Sequence, residues 1–326
     1  MSDTEAGGQR AGSRALSVFA NPLNAHVLRA HLEGPQRLFG VQAAVGSSAE
    51  STVRAAIANL CEVGALERTS DGKSSRAVAT SLSPAGHEML FLADELEVWL
   101  AQAPTGPIEP GSEEAKGAIK ALAGGWSSTL IRELAGRPVT LAELDEAISE
   151  VSYPMLERRI NWMRMTGQIE PVQREGRGTP YVVTDWLRRA IAPLSVSGRC
   201  ERRHLSEGTA PITEVEVEAA FLMAIPLAQL PAHASGPCLL AAQTEPSQGE
   251  PPAALAGVTV EVRRGEVLSC GPSLASAPPT WAVGSPDAWL DAVIGGEIAD
   301  LRINGEQPQL ALDLVAGLHA ALFLDR

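Results

Sequence analysis

The sequence predicts a multidomain, mainly α chain with β-wings, in which two copies of one helical module, each closed by a β-ribbon, precede an α/β (α+β) domain. Three observations carry this. Residues 27–34 lead to residues 51–67 just as residues 129–136 lead to residues 154–170. Gly64 and Gly167 each end a helix whose apolar positions lie eleven, seven and four residues earlier: Val53, Ile57 and Leu60, then Leu156, Ile160 and Met163. Beyond residue 208, short β-like runs separated by Pro and Gly replace the helical spacing. Repetition at a fixed offset dictates architecture. A unit this long is a duplicated small domain rather than a solenoid repeat.

In chain order, residues 1–13 are rich in Gly, Ser and Glu without periodicity and are expected to form a disordered tail. The first module spans residues 14–102. Residues 103–112 hold Pro104, Gly106, Pro107, Pro110 and Gly111, which break any helix and mark a linker. The second module runs over residues 113–205. In it residues 141–149 form a short helix, residues 150–153 a turn with Ser152 as N-cap, and residues 154–166 a second helix. Residues 168–173 then form a strand, residues 174–180 a tight basic turn, and residues 181–184 the returning strand. A helix-turn-helix followed by such a hairpin is a winged helix. The last domain, residues 206–326, has strand-like runs at 238–242, 257–262 and 266–270 and closing helices at 285–294 and 309–324.

The formal net charge of −13 argues against nucleic acid until its distribution is read. Residues 1–105 hold 8 Lys/Arg against 11 Asp/Glu, residues 106–208 hold 14 against 14, and residues 209–326 hold 4 against 14. The acidity therefore belongs to the last third, and the domains are expected to meet different partners. No run approaches the roughly 20 apolar residues that span a bilayer, and a cytoplasmic location is expected. Cys61, Cys200, Cys238 and Cys270 are far apart, so neither a zinc site nor a disulfide framework is expected.

With Leu156, Ile160 and Met163 facing the core, helical spacing leaves Ser152, Met155, Arg158, Asn161 and Trp162 on other faces and puts Arg159 and Arg164 on the flanks. Arg174 and Arg177 add two cations at the wing tip. Guanidinium forks suit phosphate oxygens and guanine edges, and a single helix fits the major groove. The DNA-contacting set in this module is thus Ser152, Met155, Arg158, Arg159, Asn161, Arg164, Arg174 and Arg177. The first module offers Ser51, Thr52 and Arg54 on its helix, after Glu50, and Lys73 and Arg76 on its wing. It binds DNA less strongly, reads a different half-site, or serves as a dimer-like scaffold.

Gly124-Gly125-Trp126, the run Leu32-Glu33-Gly34-Pro35-Gln36-Arg37-Leu38-Phe39, the turn Val151-Ser152, the helix end at Gly167 and Leu82-Ser83-Pro84-Ala85-Gly86 occur in an order that resembles the HxlR-type winged-helix transcription regulators. Asn21-Pro22-Leu23 replaces the Gly-Lys-Trp start in module one, and Leu187 or Arg188 stands where the last Gly belongs in module two. The resemblance implies a partner, double-stranded DNA, read at a pseudo-palindromic site by paired wings. Two modules in one chain make that pair internally, as a monomer, or two chains form a homodimer. Half-sites of unequal sequence about one helical turn apart, ~10 bp, are expected.

In the last domain residues 280–296 and 301–306 resemble the end of a sterol carrier protein-like domain. That resemblance implies an apolar tunnel for a small-molecule effector, with Phe221, Leu222, Trp281, Trp289, Leu314, Leu318 and Phe323 as candidate lining. Each of these is also an ordinary core residue type. The six histidines are scattered and no nucleophile elbow or phosphate loop is present, so no enzyme activity, cofactor or metal is expected. The competing readings are a protein-interaction scaffold whose modules do not touch DNA and a lipid carrier that uses them as a tether.

Overall fold

A computed structural model describes residues 12–46, 48–69, 78–125, 128–148, 151–173, 178–205, 210–244, 254–272 and 278–324. It is a mixed α/β chain, mainly helical, with a five-stranded sheet near its C-terminus. Copy one comprises α1 (Ser13–Val18), α2 (Pro22–Arg29), α3 (Leu38–Val45), α4 (Glu50–Glu62), β1 (Leu66–Thr69), β2 (Ala79–Leu82) and α5 (Pro84–Ala101). Copy two repeats the order, with two helices in place of α5, as α6 (Glu113–Lys120), α7 (Ser128–Gly136), α8 (Leu141–Ala147), α9 (Tyr153–Met165), β3 (Ile169–Pro171), β4 (Tyr181–Val183), α10 (Asp185–Arg189) and α11 (Ile191–His204).

The duplication extends to individual hydrogen bonds. β1 pairs antiparallel with β2, and β3 with β4. A residue ahead of the helix pair bridges the returning strand in each copy, Gln36 to Thr80 and Val139 to Tyr181. Ser83 Oγ donates to the Gly64 carbonyl at 2.6 Å, and Thr184 Oγ1 to the Gly167 carbonyl at 2.8 Å. Each hydroxyl then accepts from a backbone N–H three residues on, Gly86 at 3.0 Å and Leu187 at 3.3 Å, so it both ties the ribbon and caps the next helix. Leu187 is therefore the residue that stands where copy one has Gly86. A Cβ at Gly86 would lie 2.2 Å from the Ala65 carbonyl oxygen, so copy one brings helix and ribbon closer than a side chain allows. At the start of α2, Asn21 accepts from Leu23 N at 3.2 Å and Pro22 opens the helix, so the Asn-Pro pair is itself a helix start.

The contacts gather the chain into two compact units. One holds Met1–Ala101, Pro107–Gly125 and Pro193–Ala210; the other holds Gln102–Gly106, Trp126–Ala192 and Pro211–Arg326. In the first unit α1 packs on α6, the first helices of the two copies. Glu201 of α11, 2% exposed, accepts from the N–H groups of Gly12 at 2.9 Å and Ala15 at 2.8 Å and so supplies the partners α1 lacks at its N-terminus. Arg199 and His204 both meet Glu88 of α5, at 2.5 and 2.9 Å. The pattern of apolar positions alone did not indicate any of these flanking helices.

The second unit adds α12 (Glu214–Ala224), β5 (Gly236–Gln243), β6 (Leu255–Arg263), β7 (Glu266–Gly271), β8 (Thr280–Gly284), α13 (Pro286–Gly295), β9 (Arg302–Gly305) and α14 (Pro308–His319). The expected runs 238–242, 257–262 and 266–270 fall in β5, β6 and β7. The helix expected at 285–294 begins after Ser285, whose hydroxyl accepts from Ala288 N at 3.1 Å. Strand order is β7-β6-β5-β8-β9, with β5 and β8 parallel and the other pairs antiparallel. Arg264 and Gly265, with φ of 52° and 84°, make the two-residue turn between β6 and β7 that strand twist favours. Within this unit α12 packs on α7 as well as on β6, and Arg132 Nε lies 2.5 Å from Glu218 Oε2. Burial raises the Glu218 carboxyl pKa even though Arg132 pulls it down.

Candidate nucleic-acid interface

Helix α9 owes its orientation to Leu156, Ile160 and Met163, all buried at 2% exposure or less. Tyr153 and Pro154 open it, Ser152 stands at the N-cap in extended conformation, and the exposed Ser152 hydroxyl makes no capping bond. At about 3.6 residues per turn, Arg158 and Met165 face directly away from the buried stripe, with Asn161 and Trp162 beside them. Ser152, Met155, Arg158, Asn161, Trp162 and Arg164 are all exposed, while Arg159 is half-buried on the flank. Arg158 and Arg164 have no ion pair among the described residues. Met165, 77% exposed, completes this face. The sequence reading missed it because its core triad ended at Met163.

Helix α8 packs against α9 and is held by a reciprocal cap. Glu143 Oε2 accepts from Thr140 N at 2.7 Å, and Thr140 Oγ1 accepts from Glu143 N at 3.3 Å. The Thr140 N–H first, and Arg137 next, hold the Glu143 carboxyl down to about 2. The ribbon β3–β4 follows Gly167, whose φ of 72° takes the chain out of the helix. Arg174 and Arg177, expected at its tip, lie outside the described residues, as do Lys73 and Arg76 of the first ribbon.

In copy one the corresponding helix α4 presents Ser51, Thr52 and Arg54, all exposed. Glu50 pairs with Arg54 four residues on. Its buried stripe is Val53, Ala56 and Leu60; Ile57, expected in the core, is only half-buried because the helix is turned so that Ala56 faces inward. Helix α4 carries one arginine against two glutamates, net −1, whereas α9 carries three arginines against one glutamate, net +2. The two helices share a backbone design and differ in charge.

Among the lining candidates of the last domain, Phe221, Leu222, Trp289, Leu314 and Leu318 are buried, and Trp281 and Phe323 are partly exposed. Phe221 and Trp289 meet edge to face with centroids 4.9 Å apart. The Trp289 Nε1–H donates to the Ala241 carbonyl at 2.8 Å. Trp281 packs on Leu239, Ala241 and Val283, and Phe323 stacks on His319. Leu222 is the one of the seven that lines a groove of about 750 Å³ in this unit. Among the described residues no cluster of His, Cys, Asp or Glu is placed to hold a metal. Cys200 and Cys238 are buried thiols pushed up to about 12 by that burial. No helix among the described residues is long and apolar enough to cross a membrane. No protein-family model matches this chain, and no curated protein matches it.

Proposed function

We propose that the chain is a ligand-responsive, DNA-binding transcriptional regulator in which two winged helix-turn-helix modules of HxlR type form an internal pair and a sterol carrier protein-like domain carries the effector. The observation that supports this best is the outer face of α9, where Arg158, Asn161 and Arg164 stand exposed on a helix locked from behind by three buried side chains. Such a helix enters the major groove with its donors already in place. Helix α4, with Arg54 tied to Glu50 and a net negative charge, contributes less, so the operator has one strongly and one weakly read half. The packing of α1 on α6 and the Glu201 cap on α1 join the outer helices of copy two to copy one within a single unit, which is the support for an internal rather than an intermolecular pair.

The test is fluorescence anisotropy of the whole protein on DNA from its own promoter and on a scrambled duplex, over rising salt. Tighter binding to the promoter is expected. Arg158→Ala should cost about 1–3 kcal/mol of binding if it reads a base, or flatten the salt slope by about 1 if it holds a phosphate. Equal, weak binding to both duplexes rejects the reading. A protein-docking role has one observation in its favour, the exposure of Tyr153, Met155, Trp162 and Met165 on the same helix. In that case Trp162→Ala, and not Arg158→Ala, abolishes the interaction.

A further inference from the structure

We propose that the groove bounded by α7, α10, the end of α12 and the strand β7 binds a small organic carboxylate with an apolar body, its acid group paired with Arg188. The groove has a volume of about 750 Å³, within the range of small-molecule sites. Leu222, Leu230 and Val267 give it apolar wall; Arg188, Ser269 and Cys270 give it polar groups.

Arg188 is the cation of this groove, and it has no counter-charge in contact among the described residues. Its Nη1 donates to the Leu222 carbonyl at 2.6 Å and its Nη2 to the Ala135 carbonyl at 3.4 Å. A guanidinium has five N–H donors, so the two carbonyls leave others unspent. No carboxylate forms an ion pair with it among the described residues. Asp185 acts on it only at a distance, and Glu266 on the groove wall is exposed. Burial pushes the neighbouring Cys270 thiol up to about 12, so it is neutral near pH 7 and supplies no charge. Burial also lowers the pKa of Arg188 itself, the direction expected of a guanidinium removed from water without an anion. A carboxylate entering here finds a planar fork that matches it. It also finds β7, an edge strand of the sheet that has, among the described residues, no strand partner on its outer side.

The groove is lined from α7 and α10 of the second module and from α12 and β7 of the last domain. A ligand held there touches both, and any difference in its affinity between two arrangements of these elements is a coupling free energy. The inference thus deepens the effector half of the proposed function and moves the ligand from the interior around Trp289 to the groove at Arg188.

Binding is tested on the whole protein without DNA, so failure here leaves the DNA-binding reading standing. The probe is anilinonaphthalene sulfonate, an apolar anion followed by fluorescence, with decanoate and decanol as competitors. Saturable binding is expected, with displacement by decanoate at about tenfold lower concentration than by decanol, and Arg188→Met should weaken probe and decanoate about tenfold or more. Because Arg188 also holds two carbonyls, a second variant, Ser269→Glu, adds a carboxylate to the groove at an exposed strand position without touching those bonds. It should weaken both anions to a similar degree. Absence of binding, displacement by decanol as readily as by decanoate, or wild-type affinity in Ser269→Glu overturns the proposal.

Discussion

Arg54 and Arg158 stand on corresponding helices yet have different company, because four residues before Arg54 the chain has Glu50 and four residues before Arg158 it has Pro154. An exposed pair at this spacing is worth only a few tenths of a kcal/mol. Its larger effect is to occupy the guanidinium and cancel its charge. Both facts are legible in the sequence, since a helical repeat alone brings the two residues together. The same holds for Glu143, three residues after Thr140. Its carboxyl has a folded-state pKa of about 2 against an ordinary value of 4.5, so it contributes stability that is fully present above pH 4.5 and lost as pH falls toward 2. The stability difference between wild type and Glu143→Gln, from urea denaturation along a pH series, should be constant above about pH 5 and shrink through that window. A difference unchanged down to pH 2 contradicts this account of the cap.

At the scale of the element, the helix–ribbon corner is the most faithfully repeated feature, and Gly64 and Gly167 hold φ of 76° and 72° there. Glycine before a hydrophobic strand made both corners readable, because the left-handed turn is a local demand. Their surroundings were not readable. A Cβ at Gly64 meets nothing within 4 Å, whereas one at Gly167 falls 2.4 Å from Pro104 Cγ. Gly64→Ala should therefore cost about 1–2 kcal/mol for the backbone alone, and Gly167→Ala clearly more. Equal losses in chemical denaturation would mean that Pro104 moves aside freely. The buried stripe of α9 matched its apolar spacing, but that of α4 did not. Val53, Ala56 and Leu60 are spaced three and four apart rather than four and three, and periodicity cannot tell which of Ala56 and Ile57 faces inward.

For the whole molecule, the decisive contacts are those between residues far apart in sequence. Glu201 reaches Gly12 across 189 positions and satisfies two N–H groups at the start of α1. Glu201→Ala leaves those donors buried without a partner and should cost about 1–3 kcal/mol, while Glu201→Gln, which keeps one acceptor, should cost less. The order Ala worse than Gln in urea denaturation checks this, and equal losses in the two neutral variants would show that the carboxylate's charge, rather than the lost acceptor, dominates. The grouping of α12 with α7, through Arg132 and Glu218, is of the same kind.

The sequence by itself determined the duplication, the two helix–ribbon corners, most strands of the last domain and the arginine-rich helix, because each is written in spacing over fewer than about twenty residues, where helix and strand periods act. Only the tertiary structure decided that α1, α5, α6 and α11 share a unit, that Trp289 spends its indole N–H on the Ala241 carbonyl, and that Arg188 ends in a groove with two carbonyls and, among the described residues, no paired carboxylate. Those outcomes depend on which distant groups meet once water is excluded. A desolvated donor or charge must then find its partner wherever the packed chain has placed one, and local sequence carries no record of that distance.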